Sequence, residues 1–218
     1  MPAKIYWNTV TPLLKEVLLR LMNCEVFEQF RLVGGTALSL QMGHRLSVDI
    51  DLFTDADYGS IDFQEMDKFL LSEFAYVSDS RTGPIAFGKS YFIGESEADA
   101  IKLDIYYTDK FIQPVIKFGN ISMATIEEII AMKLEVVQHG ARKKDFWDLH
   151  ELINDYTPEQ MLDLHLQRYP YGHDEKIIRS NLIDFSQADA DFEPICLKGK
   201  HWEIVKLEMI EFMEARKS

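Results

Sequence analysis

Two stretches, Val33-Gly34-Gly35-Thr36-Ala37-Leu38-Ser39-Leu40 and His44-Arg45-Leu46-Ser47-Val48-Asp49-Ile50-Asp51-Leu52-Phe53, decide how this chain reads. In the second, Asp49 and Asp51 stand two apart on a predicted strand over residues 48–53, so their side chains leave the same face. Ile50, with Val48 and Leu52 around it, is expected on the opposite face, where a core takes it. Two carboxylates on one face at a strand end suit a hard cation such as Mg²⁺ that also takes phosphate oxygens. Alone, an Asp-x-Asp pair in an acidic chain reads equally as a solvated strand end.

The first stretch adds the missing half. A short strand at 31–33 runs into Gly34-Gly35, and a helical turn or two follows over 36–42, stopped by Gly43. Glycines at a helix start let backbone N–H groups approach phosphate without a Cβ in the way. Thr36 adds a hydroxyl donor. A glycine pair by itself is ordinary turn chemistry. Strand, glycine loop, short helix and then Asp-x-Asp on the next strand form a more specific pattern. One loop grips a triphosphate while the carboxylates hold its metal. Asp104 is the natural third carboxylate, since in Ile101-Lys102-Leu103-Asp104-Ile105-Tyr106 it shares a face with Lys102 and Tyr106.

Outward from this centre, Thr11 and Pro12 open a first helix with Leu13, Leu14, Val17, Leu18 and Leu21 apolar, and residues 63–74 form an amphipathic helix. Between 75 and 121 short apolar runs, including Ile85, alternate with Gly, Asp and Ser, the pattern of an antiparallel set completing a mixed sheet. From Thr125 the chain is helical. Thr125 and Glu128 make a capping box, Gly140 stops that helix, and further helices are expected at 143–154, from Thr157-Pro158-Glu159, at 174–185 and from His201 to Arg216. Residues 186–200 read as a linker. The fold class is α+β, a small mixed β-sheet flanked by helices with a C-terminal helical segment, divided as residues 1–122 and 123–218.

The 218 residues are 47% apolar and 27% charged, ordinary for a globular chain able to bury one good core. No apolar run is long enough to span a bilayer and no signal-type N-terminus is present, so a cytoplasmic setting without membrane contact is expected. Cys24 and Cys196 are read as buried free thiols. The formal net charge of −13 argues against a general nucleic-acid binder, which needs a basic face to neutralise phosphates. Any RNA contact has to come from Arg142, Lys143 and Lys144, or from Lys198 and Lys200. His44, His139 and His150 are too scattered for a zinc site.

The segments from Val33 to Leu40 and from His44 to Phe53 resemble the first two motifs of the AbiEii/AbiGii toxin family, within the polymerase-beta-like nucleotidyltransferase superfamily. Met132-Lys133-Leu134 resembles its motif with a helical lysine. Arg142-Lys143-Lys144-Asp145-Phe146-Trp147-Asp148-Leu149 resembles its last motif. The resemblance covers about residues 30–155. It implies a nucleotidyltransferase fold, and a nucleoside monophosphate moved from an NTP to a hydroxyl acceptor (tRNA, protein or small molecule) with release of pyrophosphate. It also implies the setting of a type IV toxin–antitoxin system, with an antitoxin protein as possible partner. Gly34, Gly35 and Thr36 are then the phosphate loop, Asp49 and Asp51 the metal ligands with Asp104, and Lys133 a triphosphate contact. Asp145 becomes a base or an orienting group for the acceptor, and Arg45 and Ser47 contact phosphate or pin the loop. Two alternatives stay open. One is a catalytically degenerate member acting as a binding module. The other is an aspartyl-nucleophile phosphatase, whose motif has a small hydroxyl residue where this chain has Phe53.

Overall fold

The computed structural model describes residues 4–79 and 87–214. Ile85 and Arg216, expected in a strand and in the last helix, lie outside the described residues. The chain runs α1 (Pro12–Met22), β1 (Arg31–Leu32), α2 (Gly34–Met42), β2 (Asp49–Thr54), α3 (Phe63–Glu73) and β3 (Tyr76–Asp79). It continues through β4 (Gly88–Ser96), β5 (Asp99–Tyr107), β6 (Ile116–Phe118) and β7 (Ile121–Met123). Then come α4 (Ile126–His139), α5 (Lys143–His150), α6 (Pro158–Arg168), α7 (Glu175–Asn181) and α8 (Trp202–Glu214).

The strands form one mixed sheet in the order β3-β4-β5-β2-β1-β7-β6. The β2–β5 and β1–β7 pairs are parallel and the others antiparallel. Along β2 exposure alternates residue by residue, so Ile50 and Leu52 enter the core while Asp49, Asp51 and Phe53 face the other way. Strand β5 does the same, burying Leu103 and Ile105 and presenting Lys102, Asp104 and Tyr106. The buried side chains of α1 and α3 join Ile50, Leu52, Leu103 and Ile105 in a core that continues through α4, α5 and α6. The expected division at residue 122 therefore falls inside β7, within one continuous core.

Several expectations are corrected. Val48 precedes β2 and is 61% exposed, because the strand begins only at Asp49. Thr125 caps α4 through its hydroxyl, but Glu128 does not return to the cap. Its carboxylate instead accepts from Ile112 N and Gln113 N, both at 2.9 Å, and pairs with Arg168. Helix α5 ends at His150, and residues 151–155 are turns rather than helix. Residues 186–200 are no loose linker. Leu46 N donates to Ile195 O and Leu197 N to His44 O, each at 2.9 Å, so this segment straps the loop before β2. Cys24 and Cys196 are free but only partly buried.

The Glu128–Arg168 pair is fully buried and is missed by any sequence pattern, since its partners lie on different helices. Arg168 also donates to Thr108 Oγ1 at 2.9 Å and Lys110 O at 3.1 Å, tying α6 to the loop after β5. Removing one member strands a buried charge. Glu128→Ala is expected to lower unfolding free energy by about 3–5 kcal/mol in urea titration, with the double change Glu128→Leu plus Arg168→Met recovering much of it. Equal losses in single and double variants would refute the pairing.

Candidate active site

The parallel register of β2 and β5 sets Asp51 opposite Asp104 and Asp49 opposite Lys102, so the three carboxylates share one sheet face. Among the described residues no three His, Cys, Asp or Glu side chains gather into a group that could hold a metal by themselves. The acids nonetheless carry the marks of a site short of positive charge. Burial, then Asp104, then Asp49 push the Asp51 carboxyl up to about 6. Asp104 Oδ1 is buried without a hydrogen-bond partner. Lys102 donates to the other oxygen of Asp104, and Lys144 Nζ stands 3.7 Å from Asp49 Oδ2. A divalent cation fits this donor set, since it would answer the orphaned oxygen and the crowded charge together.

The glycine loop comes up against these acids. Val33 N donates to Asp51 O at 2.9 Å, and Gly34 follows at φ 66°. A Cβ on Gly34 would lie 2.8 Å from Asp51 Oδ2, and one on Gly35 would lie 2.2 Å from an Arg45 guanidinium nitrogen. Both positions therefore exclude a side chain, one by backbone conformation and contact, the other by contact alone. The helix they open, α2, has Val33 at its N-cap and no side-chain cap, unlike α1, α4 and α6, which Thr11, Thr125 and Thr157 cap. Its first backbone donors remain available to an anion.

Thr36 is buried. Its hydroxyl donates to Asp49 O and shares a 2.8 Å hydrogen bond with Ser47 Oγ. Thus Thr36 and Ser47 fasten the helix to β2. Arg45 is also buried. It grips Asp148 with two hydrogen bonds, 2.6 Å from Nε and 2.8 Å from Nη2. Lys133, from α4, lies between Asp145 at 2.6 Å and Asp148 at 2.7 Å. His44 Nε2 completes the cluster at 2.8 Å from Asp148. Burial alone would raise the Asp148 carboxyl, but Lys133, Arg45 and His44 outweigh it and hold it well below the usual carboxylate range. Burial likewise opposes the charge on Lys133, and Asp148 and Asp145 overcome it. Asp145 accepts from Arg142 N at 3.0 Å, closing the first turn of α5.

All the sequence-predicted residues therefore lie in one neighbourhood, in two tiers. Gly34, Gly35, Asp49, Asp51 and Asp104 line the sheet face and loop. Thr36, Ser47, Arg45, Lys133 and Asp145 interlock beneath or beside them. Sequence reasoning gave no role to Lys102, which strand periodicity already placed beside Asp104. It named Lys144 only among the basic residues for an RNA contact, and it treated His44 only as support. Of the basic residues named for an RNA contact, Arg142 pairs with Asp191 at 3.2 Å, and Lys200 with Glu151 at 2.7 Å, where Lys198 also binds.

A mixed sheet with Asp-x-Asp on one strand, a third acid in register on the next and an uncapped glycine-led helix against them is the architecture of a nucleotidyltransferase. The chain matches the family described as nucleotidyl transferase AbiEii toxin, type IV toxin–antitoxin system, over residues 16–215, and belongs to it. It is 26% identical over 215 residues to protein aq_aa25 of Aquifex aeolicus, covering 92% of this chain and 96% of that one. In fold it is similar to JHP933 from Helicobacter pylori, with 21% identity, a TM-score of 0.60, and 91% and 88% of the two chains covered. It is also similar to the nucleotidyltransferase toxin MenT4 from Mycobacterium tuberculosis, with 15% identity, a TM-score of 0.51, and 92% and 85% covered. The protein is thus a nucleotidyltransferase of a toxin–antitoxin family, which sets the phosphatase alternative aside. No helix among the described residues is long and apolar enough to cross a membrane.

The raised Asp51 value carries a sign. Between the ordinary 3.8 and about 6 the folded chain keeps a proton that the unfolded chain has lost, so this group's contribution to stability falls as pH rises through that window. In metal-free protein, wild type is expected to lose stability relative to Asp51→Asn from about pH 4 to about pH 6, by at most about 3 kcal/mol. Parallel urea midpoints for the two proteins across that range would contradict it.

Proposed function

We propose that the protein binds a nucleoside triphosphate with Mg²⁺ and transfers its nucleoside monophosphate to a hydroxyl acceptor in the cytoplasm. The reading rests on the in-register pairing of Asp51 with Asp104, beside Asp49 and against the Gly34 loop. Mg²⁺ is commonly held by one or two carboxylates plus substrate phosphates and water, so an open site of this kind suits it. Asp49, Asp51 and Asp104 would hold it, and when bound it neutralises charge on the reacting phosphates. The α2 N-terminus, with Gly34 and Gly35, receives the outer phosphates. Lys144, at the rim near Asp49, is placed to follow the triphosphate's charge.

The acceptor hydroxyl attacks the α-phosphorus. A new O–P bond forms, the bond from that phosphorus to the bridging oxygen of the β-phosphate breaks, and pyrophosphate leaves. The hydroxyl proton passes to solvent, since the carboxylates of Asp49, Asp51 and Asp104 would hold the metal. Asp145, already accepting from Lys133 and closing α5, suits an orienting role better than that of a base. Thr36, Ser47, Arg45 and Lys133 position the loop and acids rather than grip phosphate directly.

The acceptor is a hydroxyl on RNA, protein or a small molecule. The net charge of −13, with Arg142, Lys198 and Lys200 already paired to acids, weighs against a polynucleotide such as tRNA held mainly by charge. An antitoxin protein is the partner that the family's setting suggests.

Isothermal titration with Mg²⁺ and ATP is expected to show binding to the wild type that is lost in Asp49→Ala plus Asp51→Ala. Incubation with α-labelled NTPs and cell lysate is expected to mark an acceptor only in wild type. Unchanged binding in the double variant would overturn the site. Binding with no label transferred from any of the four NTPs would favour the degenerate binding module instead.

A further inference from the structure

The face that carries the carboxylates continues past them. Phe53 lies two residues beyond Asp51 on β2, and Tyr106 two beyond Asp104 on β5, and the two are register partners. Both rings therefore leave the sheet on the acids' side, about 6–7 Å further along the strands. Their centroids are 6.1 Å apart with the planes at 62°. Tyr106 is fixed from β4, where Ser90 Oγ lies 2.9 Å from its hydroxyl. Phe53 touches the edge of the core and Tyr106 stands outside it, so packing alone does not call for an aromatic at both positions. Each keeps part of its surface open.

Direction decides what such a pair is for. Val33 N meets Asp51 O and Gly34 follows, whereas Phe53 faces Arg31 on β1. Passing from Asp51 to Phe53 thus leads away from the glycine loop. A triphosphate whose outer phosphates lie at the loop and whose α-phosphate lies over the acids must send its nucleoside the other way. The rings stand a short ribose length beyond the acids, on the same two strands. Nor is the place fitted for a second anion. Lys102 is bound to Asp104, while Arg31 donates to Gln113 O at 2.7 Å and lies over Phe111 at 4.1 Å.

We propose that Phe53 and Tyr106 form the nucleoside subsite, with the base packing on this ring pair. The inference rests on the nucleoside triphosphate reading above and adds to it the residues that hold the base. Base–aromatic stacking accepts any base, because each presents a π-face.

The test compares Mg²⁺-ATP with Mg²⁺ and inorganic tripolyphosphate, which has the phosphates and no nucleoside, by calorimetry on the whole chain. Wild type is expected to bind ATP more tightly than tripolyphosphate. Tyr106→Leu and Phe53→Leu are each expected to weaken ATP roughly tenfold or more, the size of one lost stack, with tripolyphosphate unchanged. Tyr106→Phe, which keeps the ring, is expected to bind ATP as wild type does, and thermal melts confirm that each variant is folded. Wild-type ATP affinity in folded leucine variants would overturn the subsite. So would a loss shared equally by both ligands. ATP affinity kept while the acceptor KM rises would also overturn it, moving the rings to the acceptor. Failure of wild type to bind either ligand would instead overturn the triphosphate reading, and this inference with it.

Discussion

The Asp148 carboxylate is buried with Arg45, His44 and Lys133 on its two oxygens, drawn from the loop before β2 and from α4. Asp148 itself sits on α5. A buried carboxylate survives only with its charge answered, and here two cations and an imidazole answer it. Because those partners belong to separate elements, satisfying one charge fixes three segments against one another. The loop holding Arg45 leads directly into Asp49, and a Cβ on Gly35 would collide with Arg45. The helix N-terminus, the start of β2 and the docking of α4 and α5 thus all follow from one electrostatic requirement.

Around this cluster the chain adds restraints of a softer kind. Thr36 and Ser47 tie α2 to β2, Ser47 N donates to Thr9 O at 2.8 Å, and the strap at 195–197 pairs with residues 44–46. The loop is held from both sides before any ligand arrives. Preorganisation of this sort matters for phosphoryl chemistry, in which the protein contributes mainly by positioning and by neutralising charge. The tier of carboxylates on the sheet face stays under-neutralised by contrast. Two lysines only partly offset three carboxylates, and one acid oxygen has no partner. The rigid tier is charge-balanced and the tier of sheet-face acids is not.

Much of this was legible in particular residues. Alternation along β2 placed Asp49 and Asp51 on one face, and along β5 it placed Asp104 with Lys102 and Tyr106, and periodicity within a strand needs no tertiary information to do so. Thr11-Pro12 and Thr157-Pro158 marked helix starts through local capping chemistry, which the chain executes as written. Glu128 misled, since its spacing from Thr125 fits a capping box and yet a buried arginine forty residues away claimed the carboxylate. Val48 misled as well, because alternation says nothing about where a strand begins. The 186–200 segment looked like a linker for want of apolar periodicity. What orders it is main-chain pairing, which side-chain patterns do not encode.

The sequence by itself determined the class of the protein, the glycine loop and the paired acids, because these depend on residue type and on spacings of two to fifteen positions. The tertiary structure alone decided that Arg45, Lys133 and Asp145 form an interior ionic framework with Asp148. It also decided that Asp51 faces Asp104 across a parallel register, and that Phe53 and Tyr106 extend the same face. Those relations join residues tens of positions apart through burial and strand pairing. A polar side chain's role in them is set by which opposite charge folding buries beside it, and no local pattern records that choice.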